Sequence, residues 1–450
     1  MQCNRIMSNV QIGFHSFFNK IVVGLMFLFF LYSFWYSFEE VSNIFDINSS
    51  SLVIVLGVCI ILILLATSIL QYRFTSKQFI IFLISITVVL RFLSIVSMGA
   101  PLEGNAKVIY EAAKQIGQGN TSFSGLENLV QLPFIMYESF FIRFFGDAMF
   151  VLKICNILYC GATAFFIYKL ASTLFHEECG RIAAMLYALY IPNIVLCSVL
   201  TNEHLATCLF YFACYLLIHK GLSHSYMWGV AAALFAFSNM IRPLGLFLII
   251  VLVMYLVVVE VLQSAERKKM LFKIVGVCVI FYGVHYGVSY ALAKSNSLQY
   301  TFTNDQYVQS VLVGGNEKTT EQEKKEKKEY TVDFINKKLK AIEMDQFTSI
   351  QMSLGEFQKQ GIQNTLIKGG YLIYIMITIF AAIAMLHLLF QKPGNESYML
   401  LLFITGGYLF TRFMDMRIVY DGILVPSLLI LQSYGIYKVY QYCQKLFFKK

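Results

Sequence analysis

Charge is the first thing this chain lacks. Of its 450 residues only 14% are Asp, Glu, Lys or Arg and only 6 are proline, while 58% are hydrophobic and 41 are phenylalanine. So little charge excludes both a soluble globular domain and a disordered segment, and leaves the polytopic membrane class. No glycine-rich nucleotide loop is visible. The 10 cysteines are scattered, with no pair at metal-like or disulfide-like spacing in an aqueous loop, and read as small apolar packing residues. His204 has no second ligand at a suitable spacing, so it reads as packed or interfacial rather than metal-bound. No repeat of fixed period is visible, which speaks against a transporter built from repeated halves.

What is abundant is apolar sequence in spanning lengths. A membrane-crossing helix needs about 17 to 25 such residues, and windows near 17–38, 51–70, 79–97, 147–168, 181–200, 204–219, 226–240, 244–262, 271–293, 369–390, 398–411 and 422–442 approach or meet that length. The expected fold is therefore an all-α polytopic membrane protein of about 12 transmembrane helices. The first apolar run is long and has no small-residue cleavage site after it, so it reads as a retained anchor.

Net charge is +9, and its placement sets the expected orientation. With the N-terminus inside, Arg5, Lys20, Arg73, Lys77, Lys169, Arg181, Lys220, "ERKK" at 266–269, Lys392 and the final "KLFFKK" fall in cytoplasmic loops, whereas "EEVSNIFDINSS" on the other side has neither Lys nor Arg. The expectation is a multi-pass protein of the cytoplasmic membrane with both termini cytoplasmic. A positive inner face accounts for the basic balance without a nucleic-acid partner.

Two outward segments are long. In 98–146, "APLEGNAKVIYEAAKQIGQGN" places Val108, Ile109, Ala112, Ala113 and Ile116 on one helical face and Lys107, Glu111, Lys114 and Gln115 on the other, as in a helix lying on a membrane surface. "LPFIMYESFFIRFFGD" is apolar but interrupted by Pro133, Glu138 and Arg143, which suits a second interfacial helix. The other segment, 294–368, holds a charge-dense run that reads as a solvated helix or loop. The chain divides into an N-terminal membrane hairpin (1–78), a membrane core (79–293) with the interfacial loop 98–146, the charged loop region (294–368) and C-terminal transmembrane helices (369–450).

Ionisable residues beside spans are costly and hence candidates for function. Glu103, Glu203, Arg242, Arg412, Asp415, Arg417 and Asp421 all fall at outer span ends. Arginines there suit a phosphate, and a carboxylate suits proton abstraction from a hydroxyl. Each also has a plainer reading: "TNEHL" as a helix cap with acid in the first turn, Arg242-Pro243 as a helix break, and Arg417 and Tyr420 as interfacial anchors.

The order of the pieces adds information. "Y-x-A-A-K-x-I-x-x-G" in the polar loop, "PFIMYE", "RIAAMLYALYIPNIVLCSVLTNEHLA", "NMIRPLG" and "DMRIVYDGILVP" together resemble the GT-C glycosyltransferases, and within them the branch of protein O-mannosyltransferases and the lipid A aminoarabinose transferase with their Gram-positive relatives. The resemblance covers roughly residues 80–435 and implies a GT-C-like bundle with extracytoplasmic interfacial helices. It implies an enzyme that moves a sugar from a polyprenyl-phosphate donor, outside the cytoplasmic membrane, to an acceptor glycan, lipid or protein. An acid of the first outer loop would act as base and arginines would hold the lipid phosphate. By that resemblance the catalytic candidates are Glu103, Asn105 and Glu203, and the donor-phosphate candidates are Arg242, Arg417 and Tyr420. No cofactor is assigned, a divalent metal is compatible, and no metal ligand is named.

One departure stands out. Relatives read "SDF" or similar before the amphipathic helix, and counting back from "YEAAKQI" puts Asn105 where their Asp belongs. An amide is no carboxylate base. Either Glu103 has the role, or Glu203, Glu111 or Glu138 has it, or the chain is a catalytically inactive accessory subunit of envelope glycan assembly. Asn105 also suits a cap for a helix beginning near Ala106. A lipid-linked sugar flippase or transporter is the remaining alternative.

Overall fold

Apolar runs in a bilayer have no water to satisfy their peptide groups, so they close every backbone bond within helices. The computed structural model follows that rule. It describes residues 2–98, 100, 102–119, 132–222, 226–244, 246–262, 266–294, 336–339, 360–391, 396–413 and 422–447, and no strand occurs among them. The helices are α1 (Gln2–Phe45), α2 (Ser49–Tyr72), α3 (Ser76–Met98), α4 (Gly104–Gly117), α5 (Leu132–Phe145), α6 (Met149–Leu174), α7 (Glu177–Leu189), α8 (Ile191–Leu196), α9 (Glu203–Lys220), α10 (Met227–Ile241), α11 (Leu246–Tyr255, continued by a π-helical turn Leu256–Val261), α12 (Arg267–Lys294), α13 (Gln360–Phe390), α14 (Met399–Phe413) and α15 (Leu424–Phe447). The charged run expected at 294–368 lies almost wholly outside the described residues.

The protein is an all-α polytopic membrane protein. Among the described residues 6 helices are long and apolar enough to cross a bilayer, and Met227–Ile241, Leu248–Val261 and Met399–Leu409 are shorter apolar helices. One expected span differs in kind: window 181–200 is not a single helix. It ends at Leu189, passes through Tyr190 in an extended conformation (φ −69°, ψ 105°) and resumes as the 6-residue α8 with Pro192 in its first turn. Proline has no N–H to donate to the preceding turn, so a helix restarts there more readily than it continues.

The bundle is built by α1 along α13, α13 on α15, α15 on α7, α7 and α9 on α6, α10 between α9 and α12, α3 on α6 and α11 on α14. A continuous apolar core links them, with Phe30 of α1 and Leu52 of α2 joined to Tyr187, Tyr211, Phe235 and Phe380. Position in the bundle decides exposure: 61% of the apolar window of α13 is buried against other helices but only 17% of that of α2. The outward apolar residues of α2, such as Ile54 and Ile61, are the lipid-facing surface. Helices α4 and α5, 14 residues each, are too short to span. They pair with each other through Ile109, Tyr110, Ala112, Ala113, Leu132, Phe134, Ile135 and Ile142 in a separate cluster. Val108, expected on that apolar face, is instead 56% exposed; Tyr110 takes the place beside Ile109, because its ring packs inward while its hydroxyl reaches Asp147 at 2.7 Å.

Without a hydrophobic drive between helices in lipid, close approach at small residues supplies the packing energy. At Gly435 of α15 an added Cβ would run into the carbonyl oxygen of Phe380 on α13, a backbone atom that cannot swing away. Gly57 on α2 has open space around it. Gly435→Val is therefore expected to lose about 1–3 kcal/mol or more through overpacking, read as a clear fall in apparent Tm in detergent, while Gly57→Val leaves it unchanged. Equal effects of the two substitutions would contradict a tight α13–α15 seam.

Candidate functional site

At the break between α7 and α8 the carbonyl of Tyr187 keeps one backbone donor, the N–H of Tyr190 at 3.3 Å, but the carbonyl of Ala188 faces Pro192, which has no N–H to give, inside an apolar bundle. Arg91, in the middle of α3 and fully buried, supplies the missing donor. Its Nη1 bonds the carbonyl of Ala188 at 3.1 Å, and its Nη2 bonds that of Tyr187 at 3.3 Å and Oδ1 of Asn193 at 2.7 Å. The guanidinium thus pins both sides of the break. From there the chain runs through Cys197–Asn202 in non-helical conformation to α9, and Asn156 of α6 donates to the carbonyl of Val199 at 3.2 Å.

Where α9 begins, three polar side chains meet. Glu203 is its first residue, and its carboxylate pairs with Arg242 just past α10 at 3.0 Å, both side chains about four-fifths buried. Arg242 Nη1 also donates to Oδ1 of Asn202 at 2.9 Å, and Nδ2 of Asn202 donates to the carbonyl of Ile241 at 2.9 Å. Asn202 occupies the N-cap position but makes no capping bond. Its amide ties the α8–α9 elbow to the α10–α11 elbow instead, so "TNEHL" is more than a cap.

The second elbow has its own frame. Oδ1 of Asn239 accepts from the N–H of Leu244 at 2.7 Å, which leaves Nδ2 to donate to Nε2 of His285 on α12 at 3.0 Å. Nδ1 of His285 then donates to the carbonyl of Phe281 at 2.8 Å. This chain holds the Arg242-Pro243 turn to α12. The α14–α15 connection also reaches the site: a Cβ on Gly422 would stand 3.0 Å from Oε2 of Glu203, and Tyr211 of α9 donates to the carbonyl of Ile423 at 2.5 Å.

The paired helices α4 and α5 close this end. Their apolar cluster takes in Leu200 and Ile241, the residues flanking the two elbows, together with Leu102, and Ala100 packs on Leu196 and Val199. The loop carrying Glu103 therefore lies against the α8–α9 elbow. Helix α4 spans Gly104–Gly117, and Gly104 takes a positive φ of 55° at the turn into it, a conformation glycine adopts freely. That puts the exposed Glu103 in the N-cap position with no side-chain capping bond and puts Asn105 inside the first turn, so Asn105 is not the cap. Of the alternative acids, Glu111 is exposed on α4 and Glu138 is buried in α5 with Oε2 unpartnered. Burial pushes the Glu138 carboxyl up to about 8, which keeps it protonated near neutrality and unsuited as a base. Burial and the bond to Asp147 push the Tyr110 hydroxyl up to about 12, and Tyr110 with the N–H of Met149 holds Asp147 below the ordinary carboxylate range. Arg417, Tyr420, Asp415 and Asp421 lie outside the described residues.

Sequence spacing left His204 without co-ligands; the fold supplies two, since Cys160 and Cys197 converge on it. Arg91, Asn202, Asn239 and His285 also lie outside the candidates that the sequence pattern names. For Arg91 the signal was available as a charge inside an apolar run. For the amides it was not, because only the fold shows which elbows they join.

Chemically, this end of the bundle offers a guanidinium suited to a phosphate and a carboxylate suited to a proton, on two helix ends under a packed roof. The profile of the dolichyl-phosphate-mannose-protein mannosyltransferase family matches residues 133–286, a stretch that includes Glu203 and Arg242 but not Glu103, Asn105, Arg417 or Tyr420. The match supports a membrane glycosyltransferase of the GT-C type. No curated protein matches the chain.

Two expectations follow. Replacing Arg91 by Met strips the donor from the buried carbonyl of Ala188 and from the side-chain oxygen of Asn193, each costing about 1–3 kcal/mol when orphaned, so Arg91→Met should lose most of the monodisperse protein in fluorescence-detected size exclusion, with Arg91→Lys in between. For Glu138, the folded carboxyl titrates above its ordinary value of 4.5. Its contribution is thus fully present below that value and is lost as pH rises through about 8, at about 1.4 kcal/mol per unit. Melting curves should show stability declining between about pH 4.5 and about pH 8 in the wild type and a flatter profile over that window in Glu138→Gln.

Proposed function

We propose that the chain transfers a sugar from a polyprenyl-phosphate carrier to a hydroxyl of an extracytoplasmic glycan, lipid or protein, working in the cytoplasmic membrane with both termini inside. The observation that carries this reading is the Glu203–Arg242 pair, 3.0 Å apart and mostly buried, set at two helix elbows within the stretch matched by the mannosyltransferase family. A lipid donor reaches such a pair from between the helices, so its phosphate meets fixed positive charge without crossing water.

The chemistry follows from the pairing. In the resting chain Arg242 is held by Glu203 and Asn202. A donor phosphate competes for the guanidinium bidentately, and the carboxylate it displaces becomes a proton acceptor next to the reacting centre. The acceptor oxygen attacks the anomeric carbon, the bond from that carbon to the phosphate oxygen breaks, polyprenyl phosphate departs, and the hydroxyl proton passes to the carboxylate. One displacement inverts the anomeric configuration. Glu103, on the loop packed beside the α8–α9 elbow, is the second carboxylate in this reading, and Arg417 and Tyr420 are further phosphate contacts.

The presence of Asn105 where relatives carry Asp favours one other reading, an inactive GT-C-like subunit that binds the lipid-linked sugar for a partner. Both are tested with purified protein, radiolabelled polyprenyl-phosphate sugars and membrane acceptors. An active enzyme should lose about 10²–10⁴-fold in turnover on Glu203→Gln, the usual worth of a general base. Arg242→Lys, which keeps the charge but not the planar fork, should chiefly raise KM. If Glu203→Gln and Glu103→Gln both transfer at the wild-type rate, the carboxylate assignment fails. If the wild type binds donor but transfers nothing while Asn105→Asp transfers, the accessory reading stands.

A further inference from the structure

One polar cluster is left unused by that chemistry. It lies inside the bundle, a single residue along α9 from Glu203. Cys160 of α6, Cys197 just after α8 and His204 of α9 are 0%, 0% and 2% exposed, and one donor atom from each lies within 4.8 Å of the others. The Cys160 sulfur is 3.2 Å from Nδ1 of His204 and 3.9 Å from the Cys197 sulfur. A metal held at about 2.3 Å from sulfur and about 2.0–2.1 Å from nitrogen spaces its donors by roughly 3.5–4 Å, so the observed edges bracket those of a coordination polyhedron.

The three donors stand on rigid supports. Cys160 and His204 belong to long packed helices, and the break leading to Cys197 is pinned by Arg91. The polar capacity here also exceeds what the groups satisfy among themselves. Nε2 of His204 is buried with no partner among the described residues, so the imidazole retains a nitrogen free to serve a ligand, and a native interior rarely leaves such a group unexplained.

We propose that Cys160, Cys197 and His204 bind a soft, thiolate-seeking d10 metal ion, and that the ion is copper(I). Ligand softness narrows the choice to copper(I) or zinc(II), and charge decides between them. Two thiolates, a neutral imidazole and a monovalent ion carry one negative charge, which the adjacent buried Arg91, bonded to the same Asn193 oxygen that the Cys160 sulfur faces at 3.6 Å, cancels. A divalent ion would leave a net positive charge in an apolar interior, a costly arrangement. Zinc also prefers a fourth ligand, and the neighbouring oxygen, Oδ1 of Asn193, is already bound by Arg91 at 2.7 Å. Binding releases the two thiol protons to solvent and involves no redox step. The site is independent of the transfer reaction, so its test does not depend on activity.

The test uses full-length protein purified anaerobically in detergent and titrated with copper(I) against a chromophoric copper(I) chelator. Bound metal is counted by elemental analysis, and the ligand shell is read by X-ray absorption. One equivalent with two sulfurs and one nitrogen is expected. Cys160→Ser and Cys197→Ser should each weaken binding at least tenfold, while Cys214→Ser, equally buried on α9 but outside the cluster, should leave it unchanged. Should the serine variants not fold, the wild-type ligand shell alone decides. Failure of monodisperse wild type to take up copper(I), or a shell without two sulfurs, overturns the site. Tighter uptake of zinc(II) by the same ligands overturns the monovalent assignment.

Discussion

The guanidinium of Arg91 stands in for the helical turn that α7 does not make. Carbonyls at a helix end need partners, and in the interior of a bilayer protein there is no water to provide them. By bonding the carbonyls of Tyr187 and Ala188 and the amide of Asn193, Arg91 makes a broken helix tolerable within apolar surroundings. Its own charge is accommodated by these oxygens and by the Tyr187 ring, 5.4 Å from its centre. Without the break, residues 181–200 would run as one span, and Cys197, Asn202 and Glu203 would not be set where they are.

Once the break exists, the elbows follow from it. Asn202 and Arg242 link the start of α9 to the end of α10, and Asn239 with His285 links the following turn to α12. Two side-chain amides are bonded to backbone groups at the elbows, and His285 anchors one of those amides to α12, so the polar groups of the site and the irregular backbone satisfy one another. The roof of α4 and α5 then covers the elbows by apolar contact through Leu200 and Ile241. Rigidity comes from below and closure from above.

The Glu203–Arg242 pair sits between those layers. A mostly buried ion pair is weak evidence of a purpose in stability, since desolvation offsets much of its attraction. It is better suited to exchange, because an arriving phosphate offers the guanidinium a stronger, bidentate partner in the same place. That is why the proposed transfer assigns the two residues to phosphate and proton, and why the neutral Glu138 beneath the roof is given no part in it.

Much of this architecture was legible in the chain itself. Apolar length and the scarcity of charge set the helical membrane class, and the periodicity of 104–117 and the interruptions in 132–145 marked two short helices apart from the spans, because these properties depend on local composition and on the solvent the chain must enter. Glu203 and Arg242 could be named from charge beside spans. What the sequence could not supply was their pairing across some 40 residues, the meeting of Cys160, Cys197 and His204, or the position of Arg91 against the end of another helix. A proline shows where a helix can break, but not which side chain arrives to satisfy the freed carbonyls. Local patterns encode which elements form and which face they bury, whereas contacts between residues distant in sequence exist only after packing has chosen one arrangement of those elements.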